Sequence, residues 1–339
     1  AKTLWEKEAE ITDPFDGSVS DLTYLLGDVF HSNPRVVDQP GDFDYYTSDI
    51  YASARLCNAD PDPNRTPPVS YKWFADKHLC RRKMLFVGSN DGQLHAFDAG
   101  IFEGPDCKLP TTADRDGDSQ PDGDGDPLDG EFNNGTGKEL FSYVPRQMLP
   151  HLRDLATDSQ QSWGIDNSTR TDDVFIDPEA SVTGTATCLD REWRTVLIGS
   201  YREGGSGYFA LDITQPDEID AASNVPEPIN GYVPSCLDGG SGCSGRPFPT
   251  ALWEFIDSVP GNVAAQLDED RNGWPDLGNT WSVPATARIR VCDAACSATS
   301  IEDRFVAVFG GGLGDPPTRV TGNFVYMVDI ETGKVLWKK

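Results

Sequence analysis

Hydrophobic positions along the chain fall into three copies of one pattern. In each copy an apolar run ends in glycine, and a second apolar run ends in aspartate. The copies occupy residues 84–98, 195–212 and 305–329. Alignment of the three glycines places equal intervals of 111 residues between Val87, Ile198 and Phe309. The chain is therefore interpreted as an array of repeats.

Each copy is predicted to contain four strands. Short runs of β-branched, aromatic and aliphatic residues bounded by Gly, Asn and Asp favour buried strands joined by tight turns. One further strand is predicted before each glycine run, at residues 29–37, 173–182 and 282–289. A Leu-aromatic pair closes each copy, at Leu140-Phe141, Leu252-Trp253 and Leu336-Trp337. Four antiparallel strands closed by aromatic residues are typical of a propeller blade.

We therefore expect an all-β fold, a β-propeller with three recognisable four-stranded blades and long disulfide-bearing loop insertions. Within one region spanning 1–339, the blades are predicted at about 27–145, about 173–256 and about 280–339. Residues Thr3 to Glu6 resemble the outer strand of a preceding blade. Because propellers typically have four to eight blades, we expect the chain to be a fragment of a longer protein and part of a larger propeller.

The charge of the chain narrows the classes of partner. Its 28 basic and 55 acidic residues give a formal net charge of −27. This excess of acidic residues argues against nucleic acid and anionic membranes as direct partners. No run approaches the roughly 20 apolar residues that a membrane-spanning helix needs.

The eight cysteines predict disulfides in an oxidising compartment, because there is no Cys-x-x-Cys pair and no haem-attachment motif. All eight fall in the predicted first-to-second or third-to-fourth strand connections, which emerge on one face of a propeller. Short spacings favour three pairs and leave a fourth as a link between blades: Cys57–Cys80, Cys236–Cys243, Cys292–Cys296 and Cys107–Cys188. Sequence alone does not prove this connectivity, and free thiols in a cytosolic protein are the alternative.

Two acidic loops share the pattern D-x-[DN]-x-[DN]-x-x-x-D. Alternate residues on a tightly curled loop point their oxygens at a common centre, which suits the six to eight oxygen ligands of calcium. The side chains and one backbone carbonyl in each loop (at Gln120 and Trp274) form the predicted ligand sets: Asp114, Asp116, Asp118, Gln120, Asp122; and Asp268, Asp270, Asn272, Trp274, Asp276. Neither loop has the glutamate that closes an EF-hand, and solvated loops without metal are the alternative.

No catalytic constellation is predicted. The four histidines are scattered along the chain, and His95 lies within a strand run where a packed histidine is favoured over a base. There is no Gly-x-Ser-x-Gly elbow and no His-Glu-x-x-His motif. We therefore expect a protein that is not an enzyme, and we expect Trp5, Trp253 and Trp337 to pack between blades.

Several phrases resemble the C-terminal propeller of the PilY/PilC family of type IV pilus tip adhesins. The resemblance rests on residues 27–37, 87–98, 137–145, 197–212 and 278–284, with His31-Ser-Asn-Pro34 among the specific phrases. It implies a protein exported through the periplasm to the cell surface and the pilus tip, with minor pilins as partners. It also implies roles in pilus assembly, in opposing retraction, in adhesion to a host or abiotic surface and in twitching motility. The family's propeller carries a calcium loop, which the resemblance does not equate with either loop here.

Two other classes remain open at this point. The blade phrases also resemble those of quinone-dependent alcohol dehydrogenases, which use calcium to polarise pyrroloquinoline quinone. This chain lacks their adjacent cysteine pair and has too few blades. An outer-membrane assembly scaffold would share the repeat but not the His-Ser-x-Pro phrase.

Overall fold

The computed structural model describes residues 7–12, 19–24, 26–41, 70–78, 81–100, 102–103, 131–132, 135–152, 163–180, 190–219, 226–228, 248–256, 275–292, 302–314 and 320–339. The predicted strand at residues 3–6 lies outside these ranges.

Strands dominate the described residues. In chain order they are β1 (Lys7–Thr12), β2 (Val19–Tyr24), β3 (Arg35–Val37), β4 (Lys83–Gly88), β5 (Leu94–Gly100), β6 (Phe102–Glu103), β7 (Glu131–Phe132), β8 (Glu139–Tyr143), β9 (Arg170–Ile176), β10 (Glu192–Ser200), β11 (Tyr208–Asp212), β12 (Asp217–Ile219), β13 (Pro226–Pro228), β14 (Thr250–Phe255), β15 (Ala285–Val291), β16 (Glu302–Gly310), β17 (Val325–Asp329) and β18 (Val335–Lys338). The described helical elements with assigned bounds are α1 (Tyr71–Lys77) and the 3₁₀ turns Arg146–Met148 and Arg202–Gly204.

Three antiparallel sheets of four strands form the body of the structure. Sheet 1 has the order β3-β4-β5-β8, sheet 2 the order β9-β10-β11-β14 and sheet 3 the order β15-β16-β17-β18. This arrangement confirms the all-β prediction and the four-strand organisation of each copy. Three two-stranded hairpins, which the sequence pattern did not predict, accompany the sheets: β1-β2, β6-β7 and β12-β13.

The first strand of sheet 1 is shorter than predicted. It covers Arg35–Val37, and most of the predicted strand before it is a loop. The backbone N–H of His31 donates to Asp166, and the hydroxyl of Ser32 accepts from the backbone N–H of Gly88. Residues 29–34 therefore find their partners outside a sheet ladder.

Sheet 2 lies between the other two sheets and is buried on both faces. On one face, Ile198 and Tyr208 share a hydrophobic core with sheet 3, and the rings of Tyr208 and Phe309 stack with centroids 3.8 Å apart. On the opposite face, Phe209 shares a core with sheet 1 and lies 5.5 Å from the ring of Tyr143. Successive residues of a strand point to opposite faces, so a continuous apolar run supplies both cores.

The equal glycine spacing does not correspond to an equal register. Val87 and Phe309 each pair with the residue three positions before the terminal aspartate, whereas Ile198 pairs with the residue two positions before it. The structural counterpart of Val87 in sheet 2 is therefore Gly199. The ring of Phe209 covers Gly199 so closely that an added Cβ would lie 2.3 Å from a ring carbon. The aromatic ring thus occupies the space that a side chain would need.

The aspartate that ends each copy caps the turn that follows it. Asp212 accepts from the backbone N–H and hydroxyl of Thr214, and Asp329 accepts from the backbone N–H of Glu331. Each terminal aspartate also faces an arginine near the start of the second strand: Arg82–Asp98 at 2.8 Å, Arg194–Asp212 at 3.5 Å and Arg304–Asp329 at 3.2 Å. The repeated aspartate therefore joins the second and third strands of every sheet.

Alanine substitution is expected to affect stability differently at the two glycines that end the second strands of sheets 1 and 3. An added Cβ on Gly88 would lie 2.3 Å from the backbone oxygen of Ile165, whereas one on Gly310 would meet its nearest atom at 3.8 Å. We expect Gly88→Ala to lower the free energy of unfolding by about 1–3 kcal/mol. The matched control Gly310→Ala should change it by less than about 0.5 kcal/mol. Denaturant unfolding measures both, and equal effects would contradict the described contact.

Candidate functional site

Three loops, each preceding the first strand of a sheet, meet at one end of the structure. They are residues 26–34, 163–169 and 275–284. The side chain of Asn33 donates to the hydroxyl of Ser168 at 3.1 Å, which joins the first loop to the second. The side chain of Asn167 donates to the carbonyl of Thr280 at 3.2 Å, which joins the second loop to the third.

A buried carboxylate lies at the junction of these loops. The side chain of Asp166 is 1% exposed, and its Oδ2 lies 2.6 Å from His31 Nδ1 and 3.5 Å from Arg202 Nη1. Burial, followed by the negative charge of Asp28, raises the pKa of Asp166 to about 6. Arg202 has a φ of 55°, a left-handed conformation that is uncommon for a residue with a side chain. This conformation begins a 3₁₀ turn between β10 and β11.

Aromatic rings are exposed around this carboxylate. Phe30 is 66% exposed, Trp163 37% and Trp281 39%. The ring centroids of Phe30 and Trp163 are 5.7 Å apart, and the guanidinium of Arg202 lies 4.2 Å from the ring of Trp281. We call Phe30, His31, Trp163, Arg202 and Trp281 the aromatic patch. Exposed aliphatic side chains lie on the same loops and on neighbouring connections: Leu26, Val29, Leu149, Val283 and Leu313.

A second ionic group supports the first loop from inside sheet 1. His95 on β5 is 2% exposed, with Nε2 at 3.0 Å from Asp91 and Nδ1 at 2.5 Å from Glu139. Asp91 also accepts from the backbone N–H of Gly27 at 3.0 Å. Burial alone would lower the pKa of His95, but the hydrogen bonds and charges of the two carboxylates raise it to about 9. His95 is therefore packed, as predicted, and is positively charged at neutral pH.

The structure describes one of the ten predicted calcium ligands. Asp276 is buried, and its carboxylate forms an ion pair with the ammonium of Lys338. The other nine ligands lie outside the described residues, so both calcium loops stay predictions. Within the described ranges, His, Cys, Asp and Glu side chains form no group of three or more that could hold a metal ion.

The strand bounds place every cysteine in a first-to-second or third-to-fourth connection, in agreement with the predicted strand order. Cys292 directly follows β15 and is the one cysteine within the described ranges; the other seven lie outside them. The proposed pairing therefore stays a prediction.

Two of the tryptophans predicted to pack between blades are described. Trp253 packs against the core shared by sheets 2 and 3, and its Nε1 donates to the carbonyl of Ile330 at 2.9 Å. Trp337 on β18 is instead 45% exposed. Trp5 lies outside the described residues.

Comparison with known proteins shows that the chain is similar to a pilus protein. No family model matches it. The type IV pilus biogenesis factor PilY1 of Pseudomonas aeruginosa strain UCBPP-PA14 is 27% identical over 314 residues, which cover 93% of this chain and 17% of that protein. A PilY1 homolog of Xylella fastidiosa is 28% identical over 197 residues, covering 58% of this chain and 11% of that protein. The chain is similar in sequence to PilY1.

The chain spans less than a fifth of the length of these PilY1 relatives. The crystal structure of the P. aeruginosa PilY1 C-terminal domain aligns with a TM-score of 0.44 and 20% identity, over 89% of this chain and 36% of that chain. Within the described residues, no helix is long and apolar enough to cross a membrane.

Two of the phrases that resemble the PilY/PilC family supply part of the aromatic patch. Residues 27–37 contain Phe30 and His31, and residues 278–284 contain Trp281. Sequence reasoning did not identify Asp166 or Arg202 as site residues. Asp166 lies 135 residues from His31 and 36 residues from Arg202, so no local spacing signals their contact.

The charged His95 predicts a loss of stability at alkaline pH. Because the pKa of His95 is raised in the folded state to about 9, its contribution is fully present below the unfolded value near 6.5. That contribution should disappear as pH rises through about 9. Thermal unfolding between pH 6 and pH 10 measures the trend, with His95→Gln as the control. An identical pH dependence in this variant would contradict the assignment.

Proposed function

We propose that this chain acts in type IV pilus biogenesis as a non-enzymatic, protein-binding β-propeller. The observation that carries the proposal is the convergence of two family phrases on the aromatic patch, in a chain similar to PilY1 over 93% of its length. Exposed residues on loops that a packed scaffold positions, as distinct from core residues, indicate a binding role.

The composition of the aromatic patch favours a protein partner. Tryptophan and arginine are enriched among residues that dominate binding energy at interfaces, and Arg202 stacked on Trp281 offers both at one point. The neighbouring aliphatic side chains extend the apolar area beyond the rings. We propose that minor pilins at the pilus tip occupy this surface. Adhesion to a host or abiotic surface and twitching motility would then depend on the assembled pilus.

Repeated packing between sheets supports the propeller. The face of sheet 1 that packs against sheet 2 corresponds to the face of sheet 2 that packs against sheet 3. The corresponding face of sheet 3 points away from sheet 2, and on it Val325 is 43% exposed and Trp337 is 45% exposed. We propose that a further sheet of a larger propeller covers this face, since propeller blades follow one another around an axis.

Truncation of the aromatic patch tests the pilus role. The variant Phe30→Ala with Trp281→Ala, introduced into the full-length protein in its native host, should reduce surface pili at least about tenfold, because each hot-spot truncation costs about 2 kcal/mol of binding. Electron microscopy and sheared-pilus yield measure the loss.

The control for this experiment is Leu336→Ala, which truncates a side chain on the outer strand of sheet 3 with 45% exposure. It should leave piliation unchanged. The patch variant must reach wild-type abundance and melting temperature. Normal piliation by such a stable variant would refute the proposed surface.

We also propose calcium as a structural ion of the two predicted loops. Several carboxylates brought together on a loop repel one another without a cation. Asp276 is buried with its carboxylate against Lys338, so a positive charge already stabilises this end of the second loop. Calcium would be held there by the other predicted ligands of that loop, Asp268, Asp270, Asn272 and the carbonyl of Trp274, together with Asp276.

Calcium should raise the melting temperature of the chain. Saturation at about 100 times the dissociation constant should add about 2.7 kcal/mol to the free energy of unfolding, because the ion binds the folded state preferentially. Replacing Asp268 and Asp270 with alanine should remove the part of this gain that comes from the second loop. Replacing Asp42 and Asp44 with alanine should retain it. Calorimetry with and without calcium measures this stabilisation. An unchanged gain in stability in the Asp268 and Asp270 variant would exclude a calcium site in the second loop.

A further inference from the structure

Three polar atoms between sheets 1 and 2 are buried without a hydrogen-bond partner among the described residues. They are Gln147 Oε1, the hydroxyl oxygen of Tyr201 and Glu254 Oε2. Tyr201 is fully buried, so its hydroxyl has no access to bulk solvent. An unpaired buried polar group costs about 1–3 kcal/mol, and three in one region require an explanation.

The three atoms belong to one polar cluster. Glu254 Oε1 accepts from the hydroxyl of Tyr143 at 3.2 Å and from the backbone N–H of Arg146 at 2.9 Å. Arg146 directly precedes Gln147, so its backbone contact brings the Glu254 carboxylate beside the turn that carries Gln147. After burial, the charge of Glu254 also contributes to the raised pKa of Tyr201. A Cβ added to Gly207 would lie 2.8 Å from Gln147 Oε1 and 3.0 Å from a ring carbon of Tyr201. Gly207 therefore leaves open the space beside these two side chains.

We infer that an ordered water molecule binds in this cluster and joins Gln147, Tyr201 and Glu254. The water donates one hydrogen bond to Glu254 Oε2 and one to Gln147 Oε1, and it accepts one from the Tyr201 hydroxyl. Three hydrogen bonds are the typical number for a buried water, and each otherwise unpaired atom receives one.

The hydrogen bonds of Glu254, and not the surrounding charge, favour water over a cation, because the charge of Glu254 acts on Tyr201 more strongly than that of Arg146. The positive charge of Arg146 acts on both Tyr143 and Tyr201, in the direction that lowers their pKa. This positive charge partly offsets the attraction of the Glu254 carboxylate for a metal ion. Glu254 is also partly satisfied already, because two donors contact its other oxygen.

The bridge also holds the residue next to the aromatic patch. Tyr201 immediately precedes Arg202, and the Tyr201 carbonyl accepts from the backbone N–H of Asp166 at 3.4 Å. A water fixed to the Tyr201 side chain therefore acts as an internal support for Arg202. This inference does not depend on the proposed pilus function.

The substitution Tyr201→Phe tests the water by the sign of its effect. If the hydroxyl is truly unpaired, its removal should leave the melting temperature unchanged or raise it. If the hydroxyl binds the water, Tyr201→Phe should lower the melting temperature by about 1–2 °C, as expected for a lost hydrogen bond in a chain of this size. Tyr208→Phe is the comparison, because the Tyr208 hydroxyl donates directly to the carbonyl of Gly310 at 2.8 Å.

Two further measurements complete the test on the purified chain. The combination of Tyr201→Phe with Gln147→Leu should lower the melting temperature by less than the sum of the single shifts, since both residues share one water. A crystal structure that shows ordered waters should place density within hydrogen-bond distance of all three atoms, and Tyr201→Phe should weaken it. Additive shifts, no density, or density with metal coordination distances would overturn the inference.

Discussion

The constraint on which this structure depends is the burial of sheet 2 on both faces. Both hydrophobic cores contain residues of this sheet, and the side chains that reach them alternate along β10 and β11. A slip of one residue in register would exchange the two faces and place Phe209 where Tyr208 stacks on Phe309. The cores therefore fix the register, and the register fixes where the loops at the ends of the strands lie. This packing therefore sets the relative positions of the residues in the aromatic patch.

Apolar packing alone does not define how the sheets meet, because many apolar faces can slide over one another. Buried ion pairs add directional contacts between the sheets. Arg191, just before β10, contacts Glu331 in the turn between β17 and β18 through two nitrogens at 2.7 and 2.9 Å, and both side chains are buried. Removing one partner of such a pair leaves an uncompensated buried charge, at a cost of about 3–5 kcal/mol. On a chain with a net charge of −27, each arginine in this position also neutralises acidic residues that would otherwise repel.

The strands were predictable from sequence because their determinants are local. Apolar runs bounded by turn residues identify the second and third strands of every sheet, and the aspartates that end them cap the turns that follow. The register of sheet 2 was not predictable, because it depends on the ring of Phe209 covering Gly199, a contact across strands. The prediction of a long first strand ending at Val37 was wrong, because His31 and Ser32 form hydrogen bonds with residues more than fifty positions away. The same distance in sequence hid Asp166 and Arg202, whose roles exist only once three loops converge.

The aromatic patch is maintained at an energetic cost, and this cost is itself an argument for function. A left-handed conformation at Arg202 costs on the order of 1–3 kcal/mol, and it persists only where the surroundings enforce it. Three exposed rings around a buried carboxylate add apolar surface that folding alone would favour burying. The loops that carry these residues are joined by hydrogen bonds to one another and rest on two packed cores. An exposed surface held at such a cost is the physical basis for the binding role that we propose for the aromatic patch.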